Sequence, residues 1–316
     1  MKILEIKNLS IQYKISEGNV QAVKNVSFDV EKGESIGFVG ESGCGKTTIG
    51  MAIMGLLPQN AEITNGQIIF DGEDLLTKTD EEMRKIRWKR ISMIFQAAMN
   101  ALNPVFRIED QIIEAIMTHS DINKVDARKR VEELYRLVGI DPIRARDYPH
   151  EYSGGMRQRA IIAMALACNP DLIIADEPTT ALDVLVQDQI ISEIIKLQEK
   201  LEMTMIYISH DISVIIETCN MLGVLYAGTL VEYAPTSDLV SNPLHPYTKG
   251  LLGSYPSIKG EIKKLNPIPG EPPDLIDPPS GCRFHPRNPL KEKVCIEKEP
   301  ELRLIDDRHY VACHLV

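Results

Sequence analysis

No apolar run in the 316-residue chain approaches the roughly 18 residues that a membrane-crossing helix needs. The longest, such as "AIIAMALA" at 160–167, have the length of core segments. Positive charge is also in deficit: 35 Lys and Arg against 45 Asp and Glu leave a net charge of −10. A sequence-independent nucleic-acid binder needs a cationic surface to displace counterions, so the balance argues against that class. The start, "MKILEIKNLS", lacks the apolar h-region of a secretory leader. A cytosolic setting is therefore expected, where thiols stay reduced. The six cysteines are then free, metal-bound or catalytic rather than disulfide-paired.

The remaining composition, 44% hydrophobic and 25% charged, is ordinary for a globular protein with one large and one smaller domain. Up to about residue 235, short apolar runs alternate with amphipathic segments, which predicts an α/β fold with a mainly parallel sheet. "SIGFVG" (35–40), "ISMIF" (91–95), "LIIAD" (172–176) and "MIYIS" (205–209) read as buried strands. Helical spacing marks 127–140, with Gly139 as its cap, and 184–201. Residues 223–235 read as a hairpin turning at Ala227–Gly228 and ended by Pro235. Beyond that the character changes: twelve of the 19 prolines follow residue 235, which predicts loops, turns and short helices. A loop-rich tail of that kind needs something besides a core to hold it, and a metal is one answer.

"GESGCGKTT" (40–48) follows a predicted strand and opens a helix, the context of a phosphate-binding P-loop. Gly40, Ser42, Gly43, Cys44 and Gly45 would wrap backbone N–H groups around phosphates. Lys46 would reach the β and γ phosphates, and Thr47, followed by Thr48, would place a hydroxyl on Mg²⁺. Cys44 is given no chemistry, since any small side chain suffices there. "LIIADEP" (172–178) carries Asp176 to a strand end, where it can hold the Mg²⁺ shell. Glu177 beside it can polarise a water for in-line attack on the γ-phosphate. "YSGGMRQR" (152–159) places Ser153, Gly154 and Gly155 at the positive end of another helix, a second anion site. Two such half-sites make sense if two chains face each other, each lending its serine-glycine helix to the other's ATP.

The P-loop, "YSGGM", "LIIADEP", "TALD" (180–183) and "ISHD" (208–211), in that order, resemble an ABC-transporter ATPase. The resemblance implies a P-loop NTPase core with a helical subdomain at about 97–168, plus a small loop-rich C-terminal domain from 236. It implies ATP and Mg²⁺ as cofactors. By the same resemblance Tyr13 matches the aromatic that stacks on adenine, although Phe28 also precedes the P-loop. Gln96 matches the glutamine near Mg²⁺ and the water, Asp183 the acid that communicates across the dimer, and His210 the histidine at the γ-phosphate. Tyr152 and Met156 depart from the commoner "LSGGQ".

"NPLHPYTKGLL" (242–252), "IPGEPPDL" (268–275) and "GCRFHPR" narrow the resemblance to ATPases that drive dipeptide, oligopeptide and nickel importers, some relatives carrying oligosaccharides. That branch implies two membrane-spanning permease subunits, a paralogous ATPase or a second copy, an external solute-binding protein, and a place on the cytoplasmic face of the membrane. Its tail holds a 4Fe–4S cluster on four cysteines. Here Cys282, Cys295 and Cys313 take three positions and Asn288 the fourth. The residues leave three readings open: a cluster completed by Asn288 or another group, a zinc site with His285 as fourth ligand, or thiols that simply fill turns. The competing function is a soluble ABC ATPase acting on ribosomes or DNA. Such chains fuse two ATPase halves or insert a long coiled coil, and this one does neither.

Overall fold

The structure, a computed structural model, describes residues 1–96, 101–180, 182–254 and 268–316. The chain forms two compact units, and it leaves the first to build the second before returning. The first comprises Met1–Val30, Ile36–Leu76 and Ile208–Val316; the second comprises Glu31–Ser35 and Thr77–Tyr207.

In the first unit, β1 (Lys2–Ile15), β2 (Gly18–Glu31), β4 (Ala61–Phe70) and β5 (Glu73–Asp74) form a sheet in the order β2-β1-β4-β5. β1 and β4 run antiparallel, pairing Leu4 with Phe70 and Tyr13 with Ala61. β3 (Ser35–Val39) is buried at every residue, and helix α1 (Lys46–Ile53) follows it. A strand buried on both faces reads as a near-continuous apolar run, as "IGFV" does after the buried Ser35.

The second unit begins its helices with α2 (Asp80–Ile86), closed by a capping box between Thr79 and Glu82. There follow β6 (Ile91–Ile94), α3 (Ile108–His119), α4 (Lys124–Leu137) and α5 (Gly154–Ala165). β7 (Leu172–Asp176), α6 (Val184–Leu201) and β8 (Thr204–Ile208) complete it. β6 and β7 are parallel, with Ile91 opposite Leu172. β7 and β8 are buried at every residue. α4 begins three residues earlier than its apolar spacing suggests, because Asn123 caps Val125 and Asp126 through its side-chain oxygen.

Back in the first unit come α7 (Ile212–Thr218), β9 (Met221–Tyr226), β10 (Thr229–Pro235), α8 (Thr236–Ser241) and α9 (Pro246–Gly253). The expected hairpin is β9–β10, and Ala227 and Gly228 both take positive φ at its turn. β9 runs parallel to β3, with Ile36 opposite Met221. The tail holds α10 (Lys293–Glu297) and a small hairpin, β11 (Arg303–Asp306) with β12 (His309–Val311). β12 pairs with β10, so the order β11-β12-β10-β9-β3 brings the tail into the same unit as the glycine-rich loop.

Protein contacts hold the tail. Glu232, wholly buried, accepts hydrogen bonds from the Leu244 and His245 backbone at 2.7 and 3.0 Å and lies 2.8 Å from His309 Nε2. Phe284 meets Tyr226 edge-on at 5.1 Å and Tyr247 at 5.4 Å. Arg283 reaches the carbonyl of Ala227 and, at 2.6 Å, the side-chain oxygen of Gln21.

Candidate active site

The loop after β3 keeps two of its glycines for steric reasons. At Gly40 (φ 149°) a Cβ would sit 2.1 Å from the Leu225 carbonyl oxygen. At Gly45 (φ 101°) it would sit 2.4 Å from that of Ala22. Neither position accepts a side chain, so the loop is obliged to turn tightly with its backbone close to its neighbours. Lys46 is buried, and its ammonium donates to the carbonyls of Gly40 (2.6 Å) and Glu41 (3.1 Å), with Cys44 Sγ at 3.4 Å. Ser42, Gly43 and Thr47 are exposed along the loop. Burial pushes the Cys44 thiol pKa up, which keeps it neutral beside the lysine. Tyr13 is half-buried, with its hydroxyl 3.1 Å from that of Thr48, so this aromatic lies against the first turn of α1. Phe28 instead is buried edge-on against Phe38 at 4.7 Å. His210 is exposed just beyond β8, and Asp211 next to it caps α7 by accepting from Ser213.

In the second unit Asp176 is buried at the end of β7. Glu177 follows in a left-handed backbone (φ 48°), which costs a non-glycine residue about 1–2 kcal/mol and is concentrated at functional positions. Its Oε2 accepts from Gln96 Nε2 at 3.0 Å and from Thr180 Oγ1 at 2.8 Å. The structure thus brings Gln96, 81 residues away in sequence, onto Glu177. Thr180, the first residue of "TALD", is a second partner whose role the motif alone did not reveal. Ser153 caps α5 by accepting from Met156 N–H at 3.3 Å, leaving Gly154 and Gly155 as the first helical residues. A Cβ on Gly155 would meet Val186 at 2.9 Å. Tyr152, the departure from leucine, is buried. Its hydroxyl donates to the Arg144 carbonyl (2.8 Å) and pairs with the Tyr135 hydroxyl (3.1 Å). The substitution therefore exchanges an apolar anchor for a hydrogen-bonded one. Asp183 is exposed and caps α6 by accepting from Val186.

The tail corrects one expectation. Cys282, Cys295 and Cys313 do lie near one another: burial, then the neighbouring Cys295 and Cys313, push the Cys282 thiol up to about 11, and burial and Cys295 also raise Cys313. Yet among the described residues no group of three or more His, Cys, Asp or Glu is arranged to hold a metal ion. Neither proposed fourth ligand is committed to the thiols. Asn288 Oδ1 accepts from the Leu290 backbone at 3.0 Å, and His285 Nδ1 lies 3.0 Å from the Cys282 carbonyl. Both close local turns. As placed, the side chains fit neither a 4Fe–4S cluster nor a Cys₃His zinc site.

Sequence reasoning also missed Arg287. It forms a two-pronged ion pair with Glu41, the second residue of the glycine-rich loop, at 2.7 and 3.0 Å across 246 residues. The arginine is the last residue of "GCRFHPR", and its partner lies too far away in sequence for any local pattern to point to it.

Residues 23–180 match the family model for ABC transporters, and residues 231–295 match that for the oligopeptide/dipeptide transporter C-terminal region. The chain belongs to the ABC transporter family. Among relatives of this ABC ATPase, the dipeptide transport ATP-binding protein DppD of Bacillus subtilis (strain 168) is 48% identical over 317 residues, covering 99% of this chain and 95% of that protein. The oligopeptide transport ATP-binding protein OppD of Escherichia coli (strain K12) is 41% identical over 300 residues, covering 94% and 89%. The dimeric structure of the ATP-binding cassette MJ0796 in a post-hydrolysis state, bound to ADP and Pi, is 30% identical, with a TM-score of 0.66 over 74% of this chain and 98% of that one. The α/β P-loop ATPase fold expected from the motifs is thereby established.

Proposed function

We propose that this ABC ATPase hydrolyses ATP to power import of dipeptides or oligopeptides through a pair of membrane-spanning permease subunits. The observation that carries the reading is the pairing of a complete set of ATPase motifs with a C-terminal region matching the oligopeptide/dipeptide transporter model. Nickel and oligosaccharides remain the related cargoes, since the cargo never meets this subunit. The subunit would sit peripherally on the cytoplasmic face of the membrane; no helix among the described residues is long and apolar enough to cross it. Its partner in the ATPase pair is a paralogous subunit or a second copy, and the external binding protein is met only through the permeases. No nucleic acid is needed, consistent with the net charge of −10. The division at residue 235 then separates the ATPase proper from a transporter-specific tail.

The chemistry assigns each residue a task. Tyr13 carries adenine, the loop from Gly40 to Thr48 wraps the phosphates, and Lys46 exchanges the Gly40 and Glu41 carbonyls for phosphate oxygens. Thr47, Asp176 and Gln96 offer hydroxyl, carboxylate and amide oxygens, the hard donors that suit Mg²⁺, which would neutralise charge on the β and γ phosphates. Gln96 uses its nitrogen on Glu177, so its oxygen is the atom it would offer to a cation. Glu177 accepts the proton of the attacking water, and His210 steadies the γ-phosphate. Ser153, Gly154 and Gly155 present a helix N-terminus to the partner's ATP, and Asp183 relays between the two chains. ATP binding closes the pair; hydrolysis and release reopen it. The helical subdomain, about 97–168, passes that motion to the permeases; its first four residues lie outside those described.

Two expectations of the tail are thereby separated. Its transporter-specific role is kept, whereas the metal is not needed for any step, and iron and sulfide analysis tests for it. The function itself is tested by isolating the chain from membranes with its permease partners and assaying ATP hydrolysis. Purification with ribosomes or DNA instead would favour the soluble alternative.

A further inference from the structure

An acidic side chain in a phosphate-binding loop is an electrostatic liability. Glu41 follows Gly40 directly, and its carboxylate is 30% exposed. Charge of the same sign as a polyphosphate, held on the same loop, opposes binding unless it is neutralised. Arg287 supplies the counter-charge. Both its terminal nitrogens reach the carboxylate, at 2.7 and 3.0 Å, in the paired geometry that fixes orientation as well as charge. The guanidinium is itself held in advance: Nε donates to the Pro269 carbonyl at 2.8 Å, the plane lies 5.7 Å from the Tyr226 ring centre, and the side chain is only 6% exposed. A second tie comes from the tail, since the Glu41 N–H donates to the Tyr247 hydroxyl at 3.1 Å. The Glu41 carbonyl, in turn, accepts from Lys46. Side chain, amide and carbonyl of one loop residue are thus all engaged, two of them by the tail.

We propose that Arg287 is a positioning residue of the nucleotide site: it neutralises Glu41 and clamps the first half of the phosphate loop, making the transporter-specific tail a part of the ATP site. The inference rests on the reading of "GESGCGKTT" as an ATP-binding loop. Charge-assisted hydrogen bonds of this kind are worth about 10-fold or more in an equilibrium when one partner is removed, and partial exposure of Glu41 puts the effect at the lower end.

The test titrates the full-length chain with the slowly hydrolysed analogue ATPγS and Mg²⁺, alongside steady-state ATP hydrolysis. Arg287→Met, which keeps the apolar stem, is expected to raise Kd and KM about tenfold while kcat stays within about twofold. Glu41→Gln/Arg287→Met is expected to recover most of that loss, because no unpaired carboxylate remains in the loop. A Kd for Arg287→Met within twofold of the unaltered chain overturns the clamp. So does a double variant that binds no better than the single one, because the arginine would then serve only to hold the tail. If Arg287→Met does not fold, the double variant decides: folding and near-normal affinity support action through Glu41, and failure overturns it. Failure of the unaltered chain to bind ATPγS overturns the ATP-site reading and the clamp with it.

Discussion

Glu177→Gln isolates the proton-accepting step because the hydrogen bonds that Gln96 and Thr180 donate to the side chain can survive it. Two hydrogen bonds to the side chain, from Gln96 at 3.0 Å and Thr180 at 2.8 Å, land on Oε2. An amide oxygen in that position keeps both donors, and only the other oxygen becomes an NH₂ group. The left-handed backbone at φ 48° is equally available to glutamate and glutamine. Folding stability should therefore change by less than about 1 kcal/mol. What disappears is the base. Loss of a positioned proton acceptor costs about 10²–10⁴ in rate, or about 2.7–5.5 kcal/mol on the barrier. The assay is single-turnover hydrolysis with ATP binding and thermal unfolding measured on the same preparation. Hydrolysis within a few-fold of the unaltered chain, with binding intact, would remove Glu177 from the role. A large loss of stability would refute the claim that the hydrogen bonds survive.

Lys46→Ala should weaken nucleotide binding, measured by titration, by at least about tenfold, since it deletes the charge facing the terminal phosphates. Ser153→Ala should spare binding to one chain yet impair hydrolysis. In mixtures with Lys46→Ala, part of the activity should return as mixed pairs form with one intact composite site, and no recovery in demonstrably mixed pairs would count against the two-chain site. Burial depresses the His245 pKa from 6.5 to about 3, so the unfolded chain takes up a proton that the folded chain refuses. The stability this lends is present above pH 6.5 and lost toward pH 3, by about 1.4 kcal/mol per pH unit at full slope. Unfolding midpoints followed from pH 7.5 to 5 should fall less steeply for His245→Asn, which keeps an acceptor for Tyr247 N–H; parallel slopes would refute the assignment. Anaerobically purified protein should contain iron and sulfide well below one cluster per chain, whereas a full complement would reinstate the tail cluster.

The elements legible in the sequence are those whose burial leaves an unbroken signature. "LIIA" and "MIYI" form unbroken apolar runs because β7 and β8 are buried on both faces, and the periodic helix at 184–201 is α6 at those residues. The long strands β1 and β2 are harder to read, since their buried positions alternate only in part and carry lysines and asparagines on the exposed side. β11 carries no burial signal at all: each of its four residues is exposed, and it is a strand because β12 pairs with it. The phosphate loop and Asp176–Glu177 were visible because their chemistry is local to a few residues. The tail's attachment was not, because it depends on partners far apart in sequence: Arg287 with Glu41, and His309 with Glu232 at 77 residues. The proline-rich tail does need a staple, and ion pairs and an aromatic cluster supply it where a metal was expected.

The claim that this subunit turns ATP hydrolysis into peptide import is tested most directly in proteoliposomes. The chain would be reconstituted with the permease subunits it purifies with, and ATP turnover measured as peptide-loaded binding protein is added. The account predicts that turnover rises with loaded binding protein, that labelled peptide accumulates inside, and that Glu177→Gln abolishes both. Turnover indifferent to peptide, with no accumulation, would contradict it.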